Sequence, residues 1–103
     1  MEASAQSLAH RDKVLAQLSQ LKRTLAEQYA VDQIGIFGSV ARGNVHAESD
    51  IDVVVHMQPD MLKRACLKAE LETIFGCPVD VVRYWDGMNP YLKRRIDLEA
   101  VYV

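Results

Sequence analysis

Gly38-Ser39-Val40-Ala41-Arg42-Gly43, followed by Ser49-Asp50-Ile51-Asp52, is the stretch on which the reading of this chain turns. Apolar runs flank it, Ile34-Gly35-Ile36-Phe37 before and Val53-Val54-Val55 after. The order reads as strand, glycine-serine turn, short helix, polar loop and strand. Alternate side chains of an extended strand share a face, so Asp50 and Asp52 project the same way, about 6–7 Å apart along the strand. Two carboxylates that close repel unless a cation lies between them or one takes up a proton. Mg²⁺ suits such a pair, because it takes one or two carboxylates and completes its shell with water and phosphate oxygens.

The glycine-serine segment supplies the phosphate side. Gly38 lets the backbone turn sharply after the buried run and approach a ligand closely. Ser39 has a hydroxyl to donate to a phosphate oxygen, or to cap the helical turn that follows. Free N–H groups at a helix start favour anions. Arg42 offers a bidentate phosphate contact, and Gly43 is placed to end the short helix. On the strand after the loop, Ile51, Val53, Val55 and Met57 form an apolar face; Val54 and His56 continue the face of the acids. One side is expected to pack and the other to carry chemistry at its beginning. Singly, each piece has an ordinary reading: a solvated strand end, a helix cap, a surface arginine. Their occurrence together, in this order, points to nucleotidyl transfer.

On Gly38, Ser39, Ala41, Arg42, Gly43, Ser49, Asp50 and Asp52 the chain resembles the minimal nucleotidyltransferases (MNT) of the DNA polymerase β-like nucleotidyltransferase superfamily. The resemblance extends to Val79-Asp80-Val81-Val82 and to the ending from Ile96 to Val103, so it covers nearly everything after residue 30. It implies a third carboxylate on a later strand, and Asp80 occupies that position. Burying a lone charge in such a β-branched strand is costly. Sharing a metal with Asp50 and Asp52 would remove the cost; an exposed position paired with Arg83 or a lysine would also do so.

Composition agrees with one small catalytic unit. The chain has 103 residues, half of them hydrophobic, enough for one modest core. The expected division is one minimal nucleotidyltransferase domain over 1–103, with an N-terminal helix in 1–30 and the catalytic core in 33–103. Twelve basic and fourteen acidic residues give a formal net charge of −2, which argues against direct nucleic-acid binding over a broad surface. Lys93-Arg94-Arg95 and the group Lys63, Arg64 and Lys68 read as solvated helix faces, with contact to phosphate or an acidic partner as the lesser alternative. Cys66 and Cys77 lie eleven apart, with neither zinc-site nor disulfide spacing. His10, His46 and His56 are scattered, with His46 in the loop before the acids. No run reaches transmembrane length, and Met1-Glu2-Ala3-Ser4 lacks signal-peptide character. Free thiols, no membrane contact and a cytoplasmic location are therefore expected.

The periodicity predicts a helix over about 7–29, with Val14, Leu18, Leu21 and Leu25 at helical spacing. Strands are predicted at 33–37, 51–57 and 79–84, with a short helix at 39–43. Pro59-Asp60 opens a helix carrying Leu67, Leu71 and Ile74 on one face, ending at Gly76. Asn89-Pro90 opens another, with asparagine as cap and proline first in the helix. Residues 100–103 read as extended. The fold class is α+β: a small mixed sheet with helices packed mainly on one face and the acids on the other, the polymerase β-like nucleotidyltransferase fold.

The resemblance implies a mechanism. ATP would lie with its phosphates over Gly38 and Ser39, with Arg42, Gly43 and Ser49 completing the nucleotide site. Asp50, Asp52 and Asp80 would hold one or two Mg²⁺ ions and carry catalysis, transferring AMP to a hydroxyl with loss of pyrophosphate. Larger relatives carry an added acceptor domain, for which this chain has little room. Short MNT proteins resemble the antitoxin half of a pair whose toxin is a HEPN-domain RNase, modified on a tyrosine by AMP transfer. A hetero-oligomer with such a toxin is the leading expectation. A non-catalytic antitoxin acting by occlusion, and a transferase for a small-molecule acceptor, are the alternatives. Tyr84, Trp85, Met88, Pro90 and Tyr91 form an aromatic and methionine group that suits either a partner surface or core packing.

Overall fold

Val53, Val54 and Val55 are all buried, so β2 (Ile51–Met57) is covered on both faces and lies inside its sheet. The computed structural model describes residues 5–43 and 50–103, with side-chain burial from residue 9. The elements run α1 (Ala5–Tyr29), β1 (Val31–Phe37), α2 (Gly38–Arg42), β2, α3 (Met61–Phe75), β3 (Val79–Arg83), α4 (Pro90–Glu99) and β4 (Val101–Tyr102). The sheet order is β3-β2-β1-β4. β1 runs antiparallel to both β2 and β4, whereas β2 and β3 are parallel and joined through α3. The sheet is therefore mixed, as its connections require: a parallel pair needs a crossover, which α3 supplies.

Local chemistry fixes the element ends. The Asp60 side chain accepts the Lys63 N–H at 2.9 Å and opens α3, which closes at Gly76. Asn89 Oδ1 accepts from the N–H groups of Tyr91 at 2.9 Å and Leu92 at 3.2 Å, and Pro90 begins α4. Ala30, between α1 and β1, adopts φ 55, a left-handed conformation that a Cβ disfavours.

The principal core lies between the sheet and the pair α1 and α3. Val14, Leu18 and Leu25 of α1 meet Ile34, Ile36, Ile51, Val53 and Val55 of the sheet, with Leu67 and Leu71 of α3. The Tyr29 hydroxyl donates to Glu70 at 2.5 Å and ties the two helices together, which pushes the phenol up to about 12. A second, smaller core lies on the opposite face. There Phe37, Val54, Met88 and Ile96 are buried, with Val82, Tyr84, Leu92 and Ala100 around them. α4 thus covers part of the face that carries the acids, and Val54 packs there instead of facing solvent. The acids stay open because they stand at the start of their strands, beyond the apolar patch beneath α4.

β4 approaches β1 at Gly35, where a Cβ would come within 2.5 Å of the Val101 carbonyl oxygen and 3.0 Å of the Tyr102 ring. The missing side chain lets Tyr102 reach His56, its hydroxyl 2.8 Å from Nε2. His56 also stacks on Tyr84, with ring centroids 4.8 Å apart.

Candidate active site

Phe37, the last residue of β1, pairs with Asp52, and Asp52 pairs with Asp80 across the parallel ladder. Directly paired residues share a face, so Asp52 and Asp80 stand side by side, with strands about 4.8 Å apart. Asp50 precedes Asp52 by two residues and acts on it electrostatically. Asp50 and Asp80 are exposed, whereas Asp52 is half-buried. Burial raises the Asp52 carboxyl above the usual carboxylate range; the Asp80 and Asp50 charges push it further, against the pull of Arg95 and Arg42. Arg83 does not pair with Asp80. It donates to the Met57 carbonyl at 2.8 Å and lies 5.5 Å from the Trp85 ring centroid.

Gly38 turns the chain directly over Asp52. Its φ is 74, and a Cβ there would collide with the Asp52 carboxylate. Any other residue would strain the turn and displace the acid. α2 follows at once and ends at Gly43, whose N–H bonds the Val40 carbonyl at 3.0 Å. Ser39 sits inside α2 and makes no capping bond, because the helix begins at Gly38, a residue earlier than expected. Ser49 and His46 lie outside the described residues.

Two residues singled out by no motif join the site. Glu99, at the end of α4, accepts the Gly38 N–H at 3.2 Å and pairs with Arg42 at 2.9 Å. Arg95, one turn earlier, reaches the same carboxylate at 3.6 Å. The signals were the basic run Lys93-Arg94-Arg95 and the helical spacing of Arg95 and Glu99, and neither says what lies opposite. A cavity of about 280 Å³ lies elsewhere, between α1 and β1, bounded by Lys22, Ala26, Val31 and Ile34. Asp32 lines it, but Asp50, Asp52 and Asp80 do not.

Among the described residues no three Asp, Glu, His or Cys side chains close into a cage for a metal ion. The donor set nonetheless fits Mg²⁺. It consists of hard oxygen donors on one face, one of them half-buried among like charges, and Mg²⁺ sites rely on few carboxylates and on substrate phosphates.

A strand, a glycine-serine turn and paired strand acids thus meet at one edge of the sheet. The chain belongs to the nucleotidyltransferase domain family, whose model matches residues 18–103. It is 34% identical over 84 residues to the protein adenylyltransferase MntA of Thermococcus cleftensis, covering 80% of this chain and 84% of that one. A solved structure described as a "putative minimal nucleotidyltransferase" matches with TM-score 0.72 and 30% identity, over 88% of this chain and 93% of the other. A complex of a tri-AMPylated Shewanella oneidensis HEPN toxin with an MNT antitoxin shares the fold at TM-score 0.60. Its identity is 19%, over 93% of this chain and 70% of that one. The chain is a nucleotidyltransferase with an α+β fold. Among the described residues no helix is long and apolar enough to cross a membrane.

Proposed function

We propose that this nucleotidyltransferase moves AMP from ATP to a tyrosine hydroxyl of a cognate HEPN-domain RNase toxin and so acts as its antitoxin. The observation that carries the proposal is Asp52: half-buried, paired with Asp80 across the ladder and pressed against the Gly38 turn. A carboxylate kept in so unfavourable a place is expected where charge must meet a cation and phosphate. The adenylyltransferase relative supports the reaction, and the AMPylated toxin in the complex of like fold supports the acceptor.

In this reading Gly38, Ser39 and Gly43 frame the nucleotide phosphates, with Arg42 as a charged contact and Ser49 as a further nucleotide-binding residue. Asp50, Asp52 and Asp80 would hold Mg²⁺, which would supply positive charge against the phosphates and the pyrophosphate leaving group. Asp80 is the exposed member of the ladder pair and is placed to take the proton of the attacking hydroxyl. The hydroxyl oxygen bonds to the α-phosphorus as the bond to pyrophosphate breaks. Neutralisation by occlusion alone would leave no use for the strained carboxylate edge.

The test follows α-labelled ATP in the presence of the toxin. Label on the toxin, absent with Asp52→Ala and Asp80→Ala that keep the wild-type circular dichroism, is the expected result. Label on a small molecule would replace the acceptor, and undiminished transfer by Asp52→Ala would remove the catalytic assignment.

A further inference from the structure

We propose that Arg95 is a second polyphosphate-binding residue beside Arg42, and that Glu99 is a built-in placeholder anion that seats both arginines until the nucleotide takes them over. The inference rests on the nucleotidyl-transfer reading of this site and adds to it a residue pair outside every motif of the chain.

Three donors converge on one carboxylate. Glu99 Oε1 takes Arg42 Nη1 at 2.9 Å; Oε2 takes the Gly38 N–H at 3.2 Å and Arg95 Nη2 at 3.6 Å. Gly38 and Arg42 are the groups placed to meet phosphate, so Glu99 now presents two anionic oxygens to them. A carboxylate and a phosphate offer guanidinium groups the same paired-oxygen geometry. The donor set that holds Glu99 is therefore one that would hold a phosphoryl group.

Charge makes the exchange directional. Two guanidinium groups share one carboxylate, which leaves one positive charge uncompensated in the cluster. Arg95 and Arg42 are also the cations that pull against Asp80 and Asp50 at the Asp52 carboxyl, so this surplus lies beside three acids that outnumber it and that Mg²⁺ entering with a triphosphate would neutralise. A triphosphate brings several negative charges to that point, against the single one on Glu99. The placeholder can withdraw: its side chain is 21% exposed and both arginines are more than 40% exposed. Until then it tethers Arg42 and Arg95 at the Gly38 turn, part-exposed as they are. A carboxylate at this point gives a barrier to weak anions and yields only to a polyphosphate.

Calorimetric titration of the full chain with Mg·ATP, AMP and inorganic triphosphate separates the outcomes. Arg95→Gln is expected to weaken ATP and triphosphate binding about tenfold, the loss of one charge-assisted contact, with little change for AMP. Arg95→Lys should recover part of the loss. Glu99→Gln removes the competing charge and should tighten ATP severalfold without lowering the melting temperature. Unchanged ATP affinity in Arg95→Gln, or an equal loss for ATP and AMP, would overturn the role of Arg95. Weaker ATP binding in Glu99→Gln would make Glu99 a scaffold for the arginines and overturn the placeholder. A wild-type chain that binds neither ATP nor triphosphate would instead remove the nucleotidyl-transfer reading beneath the proposal.

Discussion

Asp52 is where function and stability oppose each other in this molecule. Its carboxyl is raised above the ordinary range by burial and by Asp80 and Asp50, so folding favours its protonated form relative to the unfolded chain. A folded-state value above the unfolded one gives a contribution that is complete below the ordinary carboxylate pKa, near 4, and is lost as pH rises through the higher folded value. Asp52→Asn removes this loss. Its melting temperature is expected to match the wild type at low pH and to exceed it increasingly as pH rises from the carboxylate range toward neutrality. Melting curves across that range decide the matter, and an Asn variant less stable at pH 7 contradicts it. Saturating Mg²⁺ should narrow the gap by neutralising the wild-type cluster. At this scale the sequence was most legible where chemistry needs neighbours in the chain: Gly38 over Asp52 follows from a turn and a two-residue spacing. Glu99 was hidden because its bonds to Arg42 and Gly38 span 57 and 61 residues.

The elements were legible from periodicity and caps, since Asp60, Gly76, Asn89 and Pro90 act locally. The position of α4 was not. Alternation in β2 shows that Asp52, Val54 and His56 share a face, but it is silent on what covers that face; burial of Val54 beneath Met88 and Ile96 needed the fold. Two substitutions test the junctions. Gly35→Ala would drive a Cβ into the Val101 carbonyl and the Tyr102 backbone. It should detach β4, break the His56–Tyr102 contact and raise amide exchange at Val103, whose N–H bonds the Ile34 carbonyl at 3.1 Å. Unchanged protection there would show that the β1–β4 pairing accommodates the added Cβ. Ala30→Gly relieves the left-handed backbone between α1 and β1, and denaturant unfolding should show a gain of about 1 kcal/mol. A loss would mean that the flexibility added to the unfolded chain outweighs the relief.

For the whole molecule, the open question of function is how the acceptor reaches the carboxylate edge. The aromatic group after β3 divides in two: Tyr84 and Met88 belong to the smaller core, while Trp85 and Tyr91 remain 49% and 77% exposed. Trp85 is held in place, with Arg83 over its ring and Gly87 leaving it room. A rigid exposed tryptophan suits an interface anchor, and Trp85→Ala is expected to weaken toxin binding about tenfold or more in a titration. Equal affinity would place the toxin elsewhere. The most direct test of the central claim is the intact mass of the proposed HEPN-domain partner after incubation with this chain, ATP and Mg²⁺. The account predicts a gain of one or more AMP masses that disappears with Asp52→Ala. A toxin that is bound and silenced at unchanged mass would contradict it.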